Sequence, residues 1–199
     1  MLRPTLFYIR HGQTDWNVTG RLQGRNDQPL NAHGRVQGIL CGDILRDLLV
    51  RDSIKPADLA YVSSPLVRAR ETMALLRPAL GLPPDGYAIE PQLTEIAFGE
   101  WEGFTIAQLH ERDPVRIAQR EHDKWSFVAP GGESYKHVSE RVGRWYAGLE
   151  RDTVVTAHGG TARGLMAYLG IAKPAAAPLA EIAQGVVYVF RDEKMIKYA

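Results

Sequence analysis

The sequence predicts an α/β fold with a largely parallel central sheet. Short apolar, β-rich segments alternate with longer segments whose apolar residues recur at helical spacing, a pattern typical of parallel sheets flanked by helices. Polar residues and glycines follow two of the apolar segments directly, at Arg10-His11 and at His158-Gly159. Because α/β proteins bind ligands beyond the carboxyl ends of their strands, these two positions are the first candidates for a functional site.

The first half of the chain contains three predicted strands and two predicted helices. A long polar segment between the first strand and the first helix indicates a functional loop, since loops of this length are uncommon inside compact domains. In chain order, the predicted elements are a buried strand at Leu6–Ile9, a loop from His11 to Leu30, a helix capped by Asn31, a strand from Asp58 to Ser63, a helix from Ser64-Pro65 to Gly81 and a strand at Tyr87–Ile89.

The second half begins with its least regular part and ends with the clearest elements. Residues Thr94 to Pro130 lack a clean apolar period, although Thr105 to Arg120 fits one or two helices. The elements predicted after it are a helix introduced by Pro130–Ser134, a strand at Thr153–Ala157, a helix from Gly159-Gly160 to about Gly170, and a hairpin made of Val186–Phe190 and Met195–Tyr198.

Length and charge exclude several classes of protein. At 199 residues the chain is expected to form one domain over 1–199, and its formal net charge of +1 argues against a nucleic-acid partner. Cys41 is the only cysteine, which excludes an internal disulfide. The apolar run near the N-terminus is too short for a signal peptide or a membrane span, so a cytoplasmic protein without a membrane partner is expected. The sequence does not indicate the oligomeric state.

The candidate site combines histidines with arginine. Arg10 adjoins His11, and Gly12 permits a close approach to this strand end. A second strand-end histidine, His158, precedes a predicted helix N-terminus, where the amides of Gly159 and Gly160 favour an anion. A nucleophilic imidazole that attacks a phosphoryl group needs nearby cations to neutralise the oxygens. The residues therefore indicate phosphoryl chemistry.

An ordered set of motifs resembles the histidine phosphatase superfamily, also called phosphoglycerate mutase-like. The matching segments are Leu6–Asn17, Arg21–Gly24, Leu30–Gly34, Ser63–Thr72, Leu93–Ile96 and Thr156–Gly160. They follow the family's order and span nearly the whole chain. The resemblance implies a three-layer sandwich in which a mostly parallel central sheet is flanked by helices.

The resemblance also implies a role for each matching residue. His11 matches the nucleophile that forms a phosphohistidine, and Glu95 matches the general acid that protonates the leaving alkoxide. Arg10, Arg68 and His158 match the residues that bind the phosphoryl group. The remaining candidates for substrate binding are Asn17, Arg21, Gln23, Gly24 and Gly159. Trp16, Phe98 and Trp101 suit either the mouth of the site or the core.

Hydrolysis is the predicted reaction, with two alternatives. The chain is short, and the segment Ile96–Gly103 is similar to broad-specificity and alpha-ribazole-type phosphatases of the family rather than to its mutases. The predicted protein is a phosphohydrolase of a small phosphorylated metabolite. The alternatives are a cofactor-dependent phosphoglycerate mutase and a non-catalytic phosphate-binding module. Because arginines can neutralise the phosphoryl charge, we expect neither a metal nor another cofactor.

Overall fold

A computed structural model describes residues 3–199 and contains a six-stranded sheet in the order β3-β2-β4-β1-β5-β6. The strands are β1 (Leu6–Arg10), β2 (Ala60–Ser63), β3 (Ala88–Ile89), β4 (Thr153–Ala157), β5 (Val187–Arg191) and β6 (Lys194–Tyr198). Strands β3, β2, β4 and β1 are parallel, whereas β5 and β6 form an antiparallel hairpin beside β1. The predicted α/β fold with a mostly parallel sheet is confirmed.

Helices cover both faces of the sheet, which gives the expected three layers. They are α1 (Asp15–Val18), α2 (Ala32–Arg51), α3 (Val67–Leu76), α4 (Ile106–Arg112), α5 (Pro114–His122), α6 (Tyr135–Ala147) and α7 (Gly159–Tyr168). Alternation along β1 divides the core: Phe7 and Ile9 pack with α2 and α3, while Leu6 and Tyr8 pack on the other face with α6 and α7.

A third apolar cluster lies in the stretch that lacks a clear period. Trp101, Leu109, Ile117 and Ala129 are its buried members, and the ring of Phe127 stacks on Trp101 with 5.2 Å between centroids. The two helices that fit Thr105 to Arg120 are α4 and α5, separated at Asp113-Pro114. Because this cluster is packed by aromatic side chains from several short turns, no single helix or strand period describes it.

Two details of the predicted elements are wrong. Ser64-Pro65 does not start α3, which begins at Val67 with Leu66 as its N-cap. The Ser64 hydroxyl instead bonds a histidine, as described below. The same helix ends at Leu76 rather than at Gly81, because Pro78 falls in a separate 3₁₀ turn that continues from Arg77 to Leu80.

No helix among residues 3–199 is long and apolar enough to cross a membrane.

Candidate active site

The carboxyl ends of three neighbouring parallel strands meet at one edge of the sheet. His11 follows β1, Ser64 follows β2 and His158 follows β4. The His11 amide donates to the carbonyl of Ala157 (2.9 Å), and the Ser64 amide donates to Thr156 (3.0 Å), so the ladder extends one residue past the strands. A cavity of about 190 Å³ opens beside these strand ends. Parallel strand pairing thus brings side chains from distant parts of the sequence to one place.

His11 is buried and held in one orientation. Its Nδ1 lies 2.7 Å from the carbonyl oxygen of Gly12, and because a carbonyl can only accept, Nδ1 carries the proton of the neutral ring. The other nitrogen, Nε2, then keeps a free lone pair. Burial, followed by the guanidiniums of Arg68 and Arg10, lowers the pKa of His11 well below its usual value. The geometry therefore keeps a neutral imidazole with Nε2 unprotonated.

His158 is fully buried beside His11, with 5.1 Å between the ring centroids. Its backbone is fixed by Tyr8, whose hydroxyl donates to the His158 carbonyl (2.6 Å) and accepts from the His158 amide (3.1 Å). Its Nε2 lies 2.7 Å from the Ser64 hydroxyl. Burial, followed by Arg68, His11 and Arg10, lowers its pKa well below the usual value, so this ring is also neutral. His158 is not among the residues that line the cavity.

Arg10 and Arg68 line the cavity with donors that have no protein partner. Arg10 Nη1 donates to Ile182 O (2.7 Å), while Arg68 donates to Asn26 O (2.9 Å) and Gly24 O (2.7 Å). These bonds fix both guanidiniums, yet the buried Nε of each finds no acceptor among residues 3–199. Buried polar atoms are normally hydrogen-bonded, so two orphaned donors beside a cavity indicate an anion-binding site.

Glu95 also lines the cavity and is held by two backbone amides. Ile96 donates to its Oε1 (2.8 Å) and Gly160 donates to its Oε2 (3.1 Å). The Gly160 amide, predicted to face an anion, is therefore already engaged by a carboxylate. Position 160 requires glycine, because a Cβ there would overlap Glu95 Oε1. Gly159 does not line the cavity; it packs against Arg10 and Arg163 instead.

The other candidates for substrate binding come from the loop between β1 and α2, and all four line the cavity. Asn17 Oδ1 accepts from the Thr14 amide and from Gln184 Nε2, and its backbone amide completes a capping box with Thr14 on α1. Arg21 Nη1 donates to Gly103 O (2.6 Å), which fixes this side chain at the rim. Gln23 is buried, and its Oε1 has no partner among residues 3–199. Gly24 supplies a carbonyl to Arg68 and has a φ of +53°.

Sequence reasoning missed part of the cavity wall. Arg120, Lys124, Tyr135 and Arg163 line it, from α5 and the turn after it, α6 and α7. No local pattern could have identified Lys124, because α5 ends at His122 and Lys124 lies in the turn that follows. Phe98 lines the cavity, whereas Trp101 is buried in the third cluster. Of the described residues, no set of three or more His, Cys, Asp or Glu side chains is arranged to hold a metal ion.

Together the fold and the site define a phosphoglycerate mutase-like α/β enzyme. A family model described as histidine phosphatase superfamily (branch 1) matches residues 6–194. The chain therefore belongs to the histidine phosphatase superfamily, and it is a phosphohydrolase of this phosphoglycerate mutase-like kind.

Relatives within the superfamily carry different activities. The chain is 35% identical over 179 residues to a glucosyl-3-phosphoglycerate phosphatase of Mycobacterium tuberculosis, covering 82% of this chain and 74% of the relative. It is 31% identical over 196 residues to a 2,3-bisphosphoglycerate-dependent phosphoglycerate mutase of Methylocella silvestris, covering 94% and 91%. The crystal structure of an alpha-ribazole phosphatase from Shigella flexneri superposes with a TM-score of 0.78 at 27% identity, covering 96% and 93%.

Proposed function

We propose that the chain hydrolyses a phosphomonoester of a small metabolite through a covalent phosphohistidine on His11. One observation carries this proposal. The hydrogen bond from His11 Nδ1 to Gly12 O leaves the Nε2 lone pair free in a neutral ring that lines an arginine-rich cavity. A neutral imidazole with a free nitrogen is a nucleophile, and the adjacent guanidiniums neutralise the charge of the group it attacks.

In the first step, Nε2 of His11 attacks phosphorus and forms a P–N bond while the P–O bond to the leaving group breaks. Glu95, as the carboxylic acid, gives its proton to the departing oxygen, so the alcohol leaves neutral. The donors free in the structure, Nε of Arg10 and of Arg68, bind the phosphoryl oxygens. The ring of His158, 5.1 Å from that of His11 between centroids, holds the nucleophile in place, and the amide nitrogen of Asn17 is a further donor to the phosphoryl oxygens.

In the second step, the Glu95 carboxylate takes a proton from a water molecule as that water attacks phosphorus. The new P–O bond forms, the P–N bond breaks, and inorganic phosphate leaves. His11 returns to the neutral ring and Glu95 to the acid, so protons and electrons balance over the cycle. The two backbone amides bound to Glu95 keep the carboxyl on one side of the cavity throughout both transfers.

Labelling of the enzyme by a phosphomonoester tests this mechanism. With a ³²P-labelled substrate and a rapid acid-free quench, the native protein is expected to retain label in a bond that acid cleaves. His11→Ala should abolish both label and phosphate release, since it removes the nucleophile. His33→Ala, which alters an exposed histidine on α2, is the matched control and should retain both. Undiminished turnover in His11→Ala would exclude the covalent mechanism.

A phosphoglycerate mutase is the second candidate, favoured by the extra cations in the cavity wall. Arg120, Lys124 and Arg163 give the cavity more positive charge than one phosphoryl group requires. A mutase must hold a bisphosphate intermediate against water, and such an intermediate needs this additional charge. Incubation with 3-phosphoglycerate separates the two reactions. Release of inorganic phosphate supports hydrolysis, while conversion to 2-phosphoglycerate without release supports the mutase.

A further inference from the structure

Gln184 does not line the active-site cavity, yet its side chain contacts two residues that do. It belongs to the segment between α7 and β5, three residues before β5 begins at Val187. Its Nε2 lies 3.0 Å from the carbonyl oxygen of His11 and 3.1 Å from Oδ1 of Asn17. One carboxamide therefore bridges the main chain of the nucleophile and a side chain that is proposed to bind the phosphoryl group.

The orientation of the Asn17 carboxamide is fixed by Thr14. The Thr14 backbone amide, which can only donate, lies 3.0 Å from Asn17 Oδ1, and the Thr14 hydroxyl lies 3.1 Å from the same atom. If the carboxamide were turned round, its NH₂ group would face the N–H of that amide, so oxygen must occupy this end. The other end, Nδ2, is then the donor that Asn17 can offer to a ligand in the cavity.

The orientation of Gln184 follows from that of Asn17. The two neighbours of its Nε2, the His11 carbonyl and Asn17 Oδ1, are oxygens that can only accept. An amide nitrogen carries two hydrogens, so Nε2 can donate to both oxygens at once, whereas the amide oxygen could bond to neither. Each end of the bridge therefore permits one orientation, and both depend on the N–H of Thr14.

The main chain beside Gln184 is anchored in the core. Ile182 is buried in the apolar cluster on the α6 and α7 side of the sheet, and the Ala183 amide donates to the hydroxyl of Tyr188 on β5 (2.7 Å). The Ile182 carbonyl also accepts from Arg10 Nη1 (2.7 Å). The segment that carries Gln184 is thus a firm support, and its backbone already holds one guanidinium of the site.

We infer that Gln184 is a positioning residue for phosphoryl transfer, which aligns His11 and Asn17 without contacting the substrate. This inference rests on the proposed phosphohistidine mechanism. Loss of the two hydrogen bonds from Gln184 would leave the hydrogen bonds of both site arginines to backbone carbonyls in place. The phosphoryl group would therefore still bind, but the nucleophile and the Asn17 donor would be less well aligned with it.

Gln184→Met tests the inference, because methionine is close to glutamine in size and has no donor. At saturating phosphomonoester, the rate constant of phosphoenzyme formation should fall about tenfold, and KM should change by less than about threefold. Rapid-quench labelling and steady-state kinetics measure the two quantities. Gln119→Met is the matched control, since Gln119 is exposed on α5 and does not line the cavity; it should retain native values.

Gln184→Glu separates hydrogen-bond donation from packing. Glutamate has nearly the same shape as glutamine, but its carboxylate can only accept and would face two oxygens. At pH 7.5 the rate constant should be as low as that of Gln184→Met, or lower. Once protonated, the introduced carboxyl group has one O–H that can donate to either oxygen. Its rate relative to that of the native protein at the same pH should therefore rise at least about threefold between pH 7.5 and pH 5.

The outcomes distinguish this inference from the proposed function. A native rate constant in Gln184→Met, or in Gln184→Glu at pH 7.5, would overturn the inference, and so would a raised KM with unchanged kcat. A loss in Gln184→Glu that is the same at every pH would also overturn it, because recovery within one variant cannot come from a general loss of folded protein. If the native protein is neither labelled by any phosphomonoester nor releases phosphate, the proposed function itself fails.

Discussion

His11 shows how a single hydrogen bond selects the reactive atom of a side chain. The Gly12 carbonyl fixes the tautomer, and Gln184 Nε2 donates to the His11 carbonyl (3.0 Å), so the side chain and the backbone are both held. Gly12 lies so close to Gly34 that a Cβ would overlap its carbonyl. The Arg-His-Gly sequence therefore combines a cation, a nucleophile and a residue small enough for the chain to pass α2.

The lowered pKa of His11 predicts activity that persists into acid. An imidazole with an ordinary pKa near 6.5 is about 90% protonated at pH 5.5 and would lose reactivity about tenfold. Because burial and two guanidiniums lower the pKa of His11, its neutral form is kept below that pH. At saturating substrate, the rate of phosphoenzyme formation should fall less than about threefold between pH 7.5 and pH 5.5. A tenfold fall centred near pH 6.5 in rapid-quench measurements would contradict this assignment.

The sequence could predict residues of the site that follow strand ends, and it missed those placed by tertiary packing. Arg10, His11 and His158 each adjoin a clear apolar run, so their convergence follows from parallel pairing alone. Arg120 and Lys124 lie in a stretch without a clean period. Their approach to the cavity depends on how the third apolar cluster packs, and no local pattern records that packing.

At the level of elements, the loop after α1 and the start of α3 stabilise each other. Arg68, the second residue of α3, donates to the carbonyls of Gly24 and Asn26, while Glu102 accepts from the amides of Arg25 (2.9 Å) and Asn26 (3.0 Å). The loop is thus held from both sides, by a guanidinium and by a carboxylate. The N-cap residue of α3, Leu66, has no side chain that can accept a hydrogen bond. Asp27 of the loop takes that role, because its Oδ1 accepts from the first amide of the helix (2.7 Å).

Gly24→Ala should disturb this loop and the site together. The residue has a φ of +53°, and an added Cβ would overlap the Glu102 carboxylate. We expect a loss of more than about 1 kcal/mol in the free energy of unfolding, and a loss of about tenfold or more in kcat/KM because Arg68 shifts. Urea denaturation and steady-state kinetics measure the two effects.

Gly20→Ala is the control for backbone strain. Gly20 has a φ of +67°, and its added Cβ would meet no atom within 4 Å. The control should lose about 1 kcal/mol of stability for the same left-handed backbone and retain native kcat/KM. Equal kinetics in the two alanine variants would show that the loop does not position Arg68.

The start of α3 was hard to predict, whereas Asn31 correctly marked the start of α2. A serine followed by proline is a common signal for a helix N-terminus. The Ser64 hydroxyl instead forms a hydrogen bond with His158, and the helix begins three residues later. The hairpin was easier to predict, because two β-rich runs flank the polar segment Arg191–Lys194, and β5 and β6 are joined by a two-residue turn. Asp192 and Glu193 both have positive φ, as the tight turn of a twisted hairpin requires.

Across the whole molecule, the sheet separates two apolar layers and leaves its end free for chemistry. The layer beneath α2 and α3 includes the fully buried Leu45. Leu45→Ala should lower the free energy of unfolding by about 2–5 kcal/mol, since it removes packed methyl groups and leaves a cavity. Below the melting temperature its kcat/KM should stay native, because Leu45 does not line the active-site cavity.

Val50→Ala is the matched control on the same helix. This side chain is 74% exposed, so the substitution should change stability by less than about 0.5 kcal/mol. Thermal or urea unfolding of the two variants compares them directly. A drop in kcat/KM for Leu45→Ala in the folded state would show that the α2 layer and the site are energetically coupled.

The near-neutral net charge of +1 hides a strong local asymmetry. Six cationic side chains surround one cavity, so the remainder of the surface carries the compensating acidic groups. Charge that is concentrated in a cavity attracts small anions by a local field. The same total charge spread over the surface would do so far less.

The two outer strands of the sheet also bear on how the molecule behaves in concentrated solution. At one border β3 is only two residues long, and at the other β6 bears the exposed lysines Lys194 and Lys197. A short strand exposes few free backbone groups, and repeated lysines repel an identical strand that approaches. Neither border therefore favours pairing with a strand from another copy, and the six-stranded sheet resists growing into a larger, fibre-like one.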